Sequence, residues 1–387
     1  MNDATRQFIK ENLSADVRKL ALRKAPADVD LPLALRQIEA RQILQKKVPS
    51  WSENDDLLFP VHLSVEQCSS EATAKYKANL LKGKSFADLT GGLGIDCHFI
   101  SKHFEQAHYV EMKPELCAIA RHNYEVLQSQ IQIWNETSES YLSHCEPVDC
   151  IFIDPARRDQ YGRKTVSISD CTPDVVQLQQ IILEKAETVM IKLSPMLDIT
   201  KALSELNHVK EVHIVAVANE CKELVFILQR DFSNSIRFVC SNLLSWQPQM
   251  DFTLEAEQNC ILALADGVKH YLYEPNAAIM KGGFFKSLAK CTNTFKLHKN
   301  SNLFTSDAYI PNFPGRIFEV ESWAHYNKKV KQVLLDGVEK ASIAVRNFPL
   351  SVAELRKMLK IADGDETYLF ATTLKGDEKV LIKTKKA

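Results

Sequence analysis

The sequence predicts an α/β fold: a mostly parallel sheet with helices on both faces and a reversed last strand. A helical N-terminal subdomain precedes it and small α+β domains follow. Three observations predict this. Short apolar runs at 86–89, 107–111, 131–134, 148–153, 188–193 and 209–218 alternate with helix-period segments, as strands joined by helical crossovers do. A glycine-rich turn, Thr90-Gly-Gly-Leu-Gly94, follows the first run, at the edge where an open α/β sheet receives ligands. Finally, Ile214-Val-Ala-Val-Ala is followed by Asn219-Glu-Cys-Lys and Glu223-Leu-Val-Phe-Ile-Leu, a hairpin that returns the last strand antiparallel.

The elements follow in order. Residues 3–50 lack strand alternation and carry helical periodicity punctuated by Pro26, Pro32 and Pro49, so residues 1–63 read as a helical subdomain. Residues 64–82 read as one helix entering the first strand, with Ser69 or Ser70 as its cap. The sheet occupies residues 64–270. Beyond it Asn276–Ala289 reads as helix, with short strands near 293–297 and 302–306, and Pro311, Pro314 and Gly315 mark a boundary; residues 271–315 form a small segment of their own. Residues 316–387 alternate again: strand 316–324, helix 327–337, strand 339–346, helix 351–361, and strands 367–373 and 378–384.

The turn carries chemistry. The first strand ends on Asp88, and Gly91, Gly92 and Gly94 allow the backbone to approach a ligand closely. The next strand ends on Glu111, 19 residues after Gly92, a spacing that suits a carboxylate gripping the two hydroxyls of a ribose. A dinucleotide site wants G-x-G-x-x-G, but Cys97 stands at the third glycine position. The other class of nucleoside ligand at such a turn is S-adenosylmethionine, which has no phosphate and needs only the tight bend.

The strand Val148–Ile153 runs into Asp154-Pro-Ala-Arg157, placing Asp154 at the carboxyl edge beside the turn. Together these motifs resemble class I S-adenosylmethionine-dependent methyltransferases over roughly residues 65–230, and Asp154-Pro-Ala-Arg157 resembles the D-P-P-[YF] or D-P-P-R element of nucleic-acid methyltransferases. The resemblance implies a Rossmann-like class I methyltransferase sheet with S-adenosyl-L-methionine as cofactor. Asp88 would orient the turn or face the methionine amine, Glu111 would bind the ribose, and Glu136 would reach the adenine amine or simply cap a helix. Gln67 and Ser70 would contact the methionine part or act only as caps. Asp154 and the Pro155 carbonyl would accept the two protons of an exocyclic base amine, and Arg157 would hold a phosphate or carboxylate or form a surface ion pair. Arg158, Glu220, Lys222 and Glu223 would line the substrate entrance, the last three also being consistent with a solvated hairpin. The aromatic of D-P-P-[YF] is absent. The strand ending Val189-Met-Ile-Lys-Leu-Ser-Pro195 carries no cysteine, which disfavours covalent carbon-5 chemistry; Cys221 reads as structural.

Composition sets the outer limits. Hydrophobic residues make up 45% and charged residues 25% of the 387, ordinary for a soluble globular protein. No apolar run has the length of a membrane span, and the first residues lack the apolar core of a signal peptide, so a cytoplasmic location is expected. The ten cysteines form no C-x-x-C pair and read as reduced. His98, His103 and His108 are spaced by five, unlike metal-binding histidines on a helix, and no metal is expected.

Residues 1–280 hold 29 Lys and Arg against 38 Asp and Glu, a net −9, whereas residues 281–387 hold 19 against 11, a net +8. A basic appendage on an acidic body suits a polyanion, although solvated surface lysines would give the same count. The tail, with Arg346-Asn-Phe-Pro-Leu-Ser-Val-Ala-Glu-Leu-Arg-Lys, resembles the THUMP-like domain joined to some bacterial methyltransferases, in which a ferredoxin-like segment precedes it. The expectation is an S-adenosylmethionine-dependent methyltransferase acting on a nitrogen of an RNA base, with tRNA or rRNA as partner. The alternatives are a small-molecule or protein methyltransferase, a non-catalytic RNA-binding relative of the same fold, and a nicotinamide-dependent oxidoreductase.

Overall fold

The computed structural model describes every residue except 25, 61, 158–167 and 328, and no side chain at 62–64, 157, 331 and 332. It divides into two compact units, Met1–Glu211 with Glu223–Asn234, and Val212–Lys222 with Ser235–Ala387.

The first unit opens with helices α1 (Asp3–Glu11), α2 (Val17–Ala21), α3 (Leu31–Lys47) and α4 (Pro49–Ser52). Short polar caps start three of them: Asn2, Asp16 and Asp30 each accept a backbone N–H from the first turn. Ile9, Leu20, Ala34 and Ile38 form their common core. The buried Arg41 guanidinium donates to the carbonyls of Ser52, Asn54, Asp55 and Leu57 at 2.9–3.2 Å, which fixes the loop beyond α4. That loop is tied onward by Asn123, whose side-chain amide exchanges two 2.8 Å hydrogen bonds with the backbone of Leu58.

The sheet of the unit follows: α5 (His62–Gln67), α6 (Glu71–Ala78), β1 (Ser85–Asp88), α7 (Ile95–Ser101), β2 (Gln106–Val110), α8 (Pro114–Val126), β3 (Ile131–Trp134), α9 (Ser138–His144), β4 (Val148–Ile153), the two-residue strands β5 (Ala156–Arg157) and β6 (Cys171–Thr172), α10 (Val175–Lys185), β7 (Ala186–Leu193), α11 (Ile199–Glu205), β8 (Val209–Val217) and β9 (Glu220–Gln229). Strand order in this unit is β9-β7-β4-β1-β2-β3. Strands β1, β2, β3, β4 and β7 run parallel, and β9 runs antiparallel to β7. This is the expected mostly parallel sheet with a reversed final strand. Central strands read as near-continuous apolar runs because helices cover both faces.

Residues 64–82 are not one helix. The chain breaks between α5 and α6 because Ser70 adopts an extended conformation and its hydroxyl accepts the Thr73 N–H, a cap that starts a new helix.

The second unit contains residues 212–217 of β8, then β10 (Arg237–Leu243), β11 (Met250–Thr253), α12 (Leu254–Asn259), β12 (Tyr271–Pro275), α13 (Ala277–Gly282), α14 (Phe285–Thr292), β13 (Phe295–His298), β14 (Ser301–Ser306), β15 (Gly315–His325), α15 (Val330–Leu334), β16 (Ser342–Arg346), α16 (Val352–Leu359), β17 (Tyr368–Thr373) and β18 (Lys379–Lys386). One seven-stranded sheet, ordered β13-β14-β12-β15-β18-β17-β16, runs through residues 271–386, so the segments before and after residue 315 share it. They also share a core in which Leu272, Leu297 and Leu303 meet Phe318, Phe370 and Ile382. The helix expected over Asn276–Ala289 is two helices, split where Gly283 takes a φ of +79°. Strands β10, β11 and β12 had no clear sequence signal. Ser241 and Asn242 interrupt the apolar run of β10, and Glu274-Pro275 ends β12, yet all four are buried.

Candidate active site

The register of the sheet builds the site. Asp88, the last residue of β1, lies opposite Tyr109 on β2 and Phe152 on β4. Glu111 and Asp154 each stand two residues beyond those partners. All three carboxylates therefore gather at the carboxyl edge, around the turn that leaves β1. Ile153 pairs with Ile191, which places Lys192 of β7 one step along, level with Asp154.

The turn is shaped by close approach. A Cβ on Gly91 would sit 2.1 Å from the Tyr109 ring, and one on Gly94, at φ +86°, would sit 2.4 Å from the Tyr124 hydroxyl. Those hydroxyls donate to the carbonyls of Gly92 and Gly94 at 2.6 and 3.0 Å. Gly92, at φ +55°, is different: a Cβ there would meet only Thr90 O at 3.7 Å, so this point of the loop is open. The Gly92 N–H donates to Glu111 Oε2 at 3.0 Å, and the Lys113 N–H donates to Oε1 at 2.9 Å. Glu111 is thus held beside the turn with lone pairs to spare for further donors.

Asp88 is 1% exposed and accepts the Thr90 N–H at 2.9 Å. Burial, reinforced by the charges of Asp96, Asp154 and Glu111, pushes its carboxyl well above the usual carboxylate range. Thr90 also joins the turn to the acceptor motif, its hydroxyl oxygen accepting the Asp154 N–H at 2.7 Å.

Beneath these residues lies a buried ionic group that sequence reasoning missed. Lys77 of α6 is fully buried, with Nζ 2.8 Å from both oxygens of Glu223, 3.0 Å from Ser69 Oγ and 3.2 Å from Asp96 Oδ1. Ser69 Oγ donates to Asp96 Oδ2 at 2.6 Å. Burial alone would raise the Asp96 carboxyl, but the ammonium groups of Lys77 and Lys192 outweigh it and hold it below its ordinary range. Lys192 forms an ion pair with Asp154 Oδ2. Burial pulls the Lys192 ammonium down, and the carboxylates of Asp154, Asp96 and Glu223 override it and raise it. The legible signal was a single lysine in an otherwise apolar strand, Val189-Met-Ile-Lys192.

The other expected residues fall in several places. Pro155 is buried directly after Asp154, and Arg157 pairs by its backbone with Cys171. Arg158 lies outside the described residues. Ser70 caps α6, and Gln67 is the exposed last residue of α5. Glu136 accepts the Ser140 hydroxyl at 2.5 Å and lies 3.1 Å from His144 Nε2; burial opposes the carboxylate, but these two partners outweigh it and lower its pKa. Glu223, expected at the entrance, is instead the buried partner of Lys77. Glu220 and Lys222 belong to the second unit, where they pair with each other at 2.6 Å. His98 is held by Ser129 Oγ at 2.8 Å and burial lowers its pKa to about 4, while His108 contacts the Tyr141 hydroxyl at 2.5 Å. Among the described residues no group of three or more His, Cys, Asp or Glu could hold a metal ion.

Comparison with known proteins decides the family. Residues 271–314 match a ferredoxin-like domain family and residues 315–386 a THUMP domain-like family. A crystal structure described as a "putative methyltransferase" from Porphyromonas gingivalis W83 is 34% identical and superposes with a TM-score of 0.89, over 99% of this chain and 98% of that one. The chain belongs to the class I S-adenosylmethionine-dependent methyltransferases with a C-terminal THUMP-like domain. This methyltransferase is also 23% identical, over 318 residues, to an uncharacterized S-adenosylmethionine-dependent methyltransferase from Mycobacterium tuberculosis (strain ATCC 25618 / H37Rv), which covers 81% of this chain and 82% of that protein. Its cofactor is S-adenosylmethionine. The residues at the turn fit that group. Gly92 leaves an open approach, and Glu111, fixed by two backbone N–H groups, keeps acceptor lone pairs for hydroxyl donors. No helix among the described residues is long and apolar enough to cross a membrane.

Proposed function

We propose that this methyltransferase acts on a nitrogen of an RNA base, with Asp154 and Pro155 at the acceptor. The observation that carries the reading is the 2.7 Å hydrogen bond from the Asp154 N–H to Thr90 Oγ1, because it locks the acceptor motif to the glycine turn. In support of RNA, the THUMP-like match coincides with a segment whose net charge is positive.

In this reading Glu111 holds the ribose, Gly92 gives the backbone approach, Asp88 sets the turn or faces the methionine amine, and Gln67, Ser70, Gly91, Gly94 and Glu136 complete the cofactor site. Arg157, Arg158, Glu220 and Lys222 are assigned to the substrate. The cofactor supplies an electrophilic methyl group on a sulfonium. The acceptor nitrogen's lone pair takes that methyl, the carbon–sulfur bond pair leaves with sulfur, and a nitrogen proton departs. The task of Asp154 is to accept a hydrogen bond from the amine and so aim its lone pair; alignment supplies most of the advantage.

The test is tritium transfer from labelled S-adenosylmethionine into total RNA of a strain lacking the gene, with nucleoside mass spectrometry of the product. A labelled methylated nucleoside is expected. Label in protein or in small molecules instead would move the assignment to the alternative substrate classes.

A further inference from the structure

Lys192 adds a component to the site. Resting on the acceptor role of Asp154, we propose that Lys192 is a positioning residue for methyl transfer, fixing the orientation of the Asp154 carboxylate. Its side chain is 13% exposed and its ammonium is paired with Asp154 Oδ2. The adjoining strands force this meeting. Ile153 and Ile191 are register partners, so Asp154, the first residue beyond β4, stands level with Lys192, which is still in β7 and pairs with Val225 of β9.

Other carboxylates face Lys192, and each is held elsewhere. Lys77 holds both oxygens of Glu223 at 2.8 Å and stands 3.2 Å from Asp96, which Ser69 Oγ also engages at 2.6 Å. Lys47 and Cys68 lie on the same side. Lys47 Nζ donates to the carbonyls of Val65 and Glu66, and Cys68 Sγ donates to Val65 O at 2.9 Å. Among the described residues the ion pair of Lys192 is therefore with Asp154. Lys77 pairs with the deeper carboxylates of Glu223 and Asp96, and Lys192, whose charge also acts on Asp96, pairs with the one at the acceptor.

The consequence for the chemistry is specific. A carboxylate with one oxygen held by an ammonium is a well-placed hydrogen-bond acceptor for an amine. In the proposed step the methyl–nitrogen bond forms as the carbon–sulfur bond breaks toward sulfur, and the nitrogen's proton leaves to Asp154 or water.

Two measurements test this. First, Lys192→Met, Asp154→Asn and the double variant are unfolded in urea. A pair makes the double variant lose less than the sum of the single losses; strict additivity overturns the pairing, whatever the substrate proves to be. Second, tritium transfer to RNA is measured with calorimetry of S-adenosylhomocysteine binding. Lys192→Met should lower kcat about 100-fold, in the range of a misplaced catalytic group, with cofactor affinity within about twofold of wild type, and Lys192→Arg should recover part of the rate. Undiminished kcat in Lys192→Met, or cofactor affinity falling in step with kcat, overturns the proposal. Should Asp154→Ala itself stay active, the acceptor role of Asp154 fails, and the stability cycle still decides whether the pair exists.

Discussion

Thr90 Oγ1 accepts the backbone N–H of Asp154 at 2.7 Å, so one threonine at the first position of a glycine turn anchors the motif that follows the neighbouring strand. Its own N–H is spent on Asp88 Oδ1. Thr90→Val keeps the shape and deletes the acceptor. An unsatisfied buried N–H costs about 1–3 kcal/mol, so the urea midpoint should fall by a corresponding amount. Methyl transfer should fall more than cofactor affinity, since it is the Asp154 side that comes loose.

Glu111→Ala should weaken S-adenosylhomocysteine binding by about 1.5–3 kcal/mol for each hydrogen bond to charge that is lost. The variant also frees the Gly92 N–H, which Glu111 holds at 3.0 Å. Calorimetry reads the change directly; unchanged affinity would remove Glu111 from the site.

Gly91→Ala and Gly94→Ala should both destabilise the first unit, for different reasons. At Gly91 the added Cβ meets the Tyr109 ring at 2.1 Å, an overpacking cost of about 1–3 kcal/mol. At Gly94 a φ of +86° adds strain of about 1–3 kcal/mol to the clash with Tyr124. Gly92→Ala, at φ +55°, carries backbone strain too but meets only Thr90 O at 3.7 Å, so it should cost less stability than Gly94→Ala while obstructing the ligand. Thermal melts and calorimetry of the three variants separate packing from binding.

The buried carboxylates make opposite predictions with pH. Asp88 has a raised pKa, so its ionisation opposes folding as pH climbs above its ordinary value. Asp88→Asn should stabilise the protein at pH 7–8, and the gain should vanish below about pH 4, where both states hold the proton. Asp96 has a lowered pKa, so its contribution is present above about pH 4 and is lost as pH falls through the depressed value. Lys77→Met strands Asp96 and Glu223 in the interior and should cost about 3–5 kcal/mol at neutral pH. Urea midpoints measured against pH follow all three.

Replacing Lys357, Lys360, Lys385 and Lys386 with Ala tests the basic tail without breaking it. All four are exposed. Removing residues after 316 would instead strip β15 from β12 and open their shared core. If these lysines meet RNA, the plot of log affinity against log salt should flatten by about 0.7 per lost phosphate contact. An unchanged slope in a filter-binding salt titration would assign the charge to solvation alone.

Much of this was legible in the residues, because it rests on local patterns. Alternating apolar runs announced the parallel strands, the hairpin at Ala218-Asn219 announced the reversed one, and the spacing of Gly92 and Glu111 pointed to a nucleoside-containing ligand while leaving its class open. What misled was also local. A helix-period stretch hid α5 as a separate helix, although Ser70 was legible as a cap, and buried Ser241 and Asn242 disguised β10.

The sequence by itself determined the fold class and the edge of the sheet where the chemistry lies, since periodicity and turn residues act within a few positions of one another. Only the tertiary structure decided which charges meet. Lys77 and Glu223 are 146 residues apart and Lys192 and Asp154 are 38 apart, and their hydrogen bonds depend on strand register and burial. A lysine read alone is a solvated cation; packed beside Asp154 near the end of β7 it becomes half of an ion pair at the carboxyl edge of the sheet.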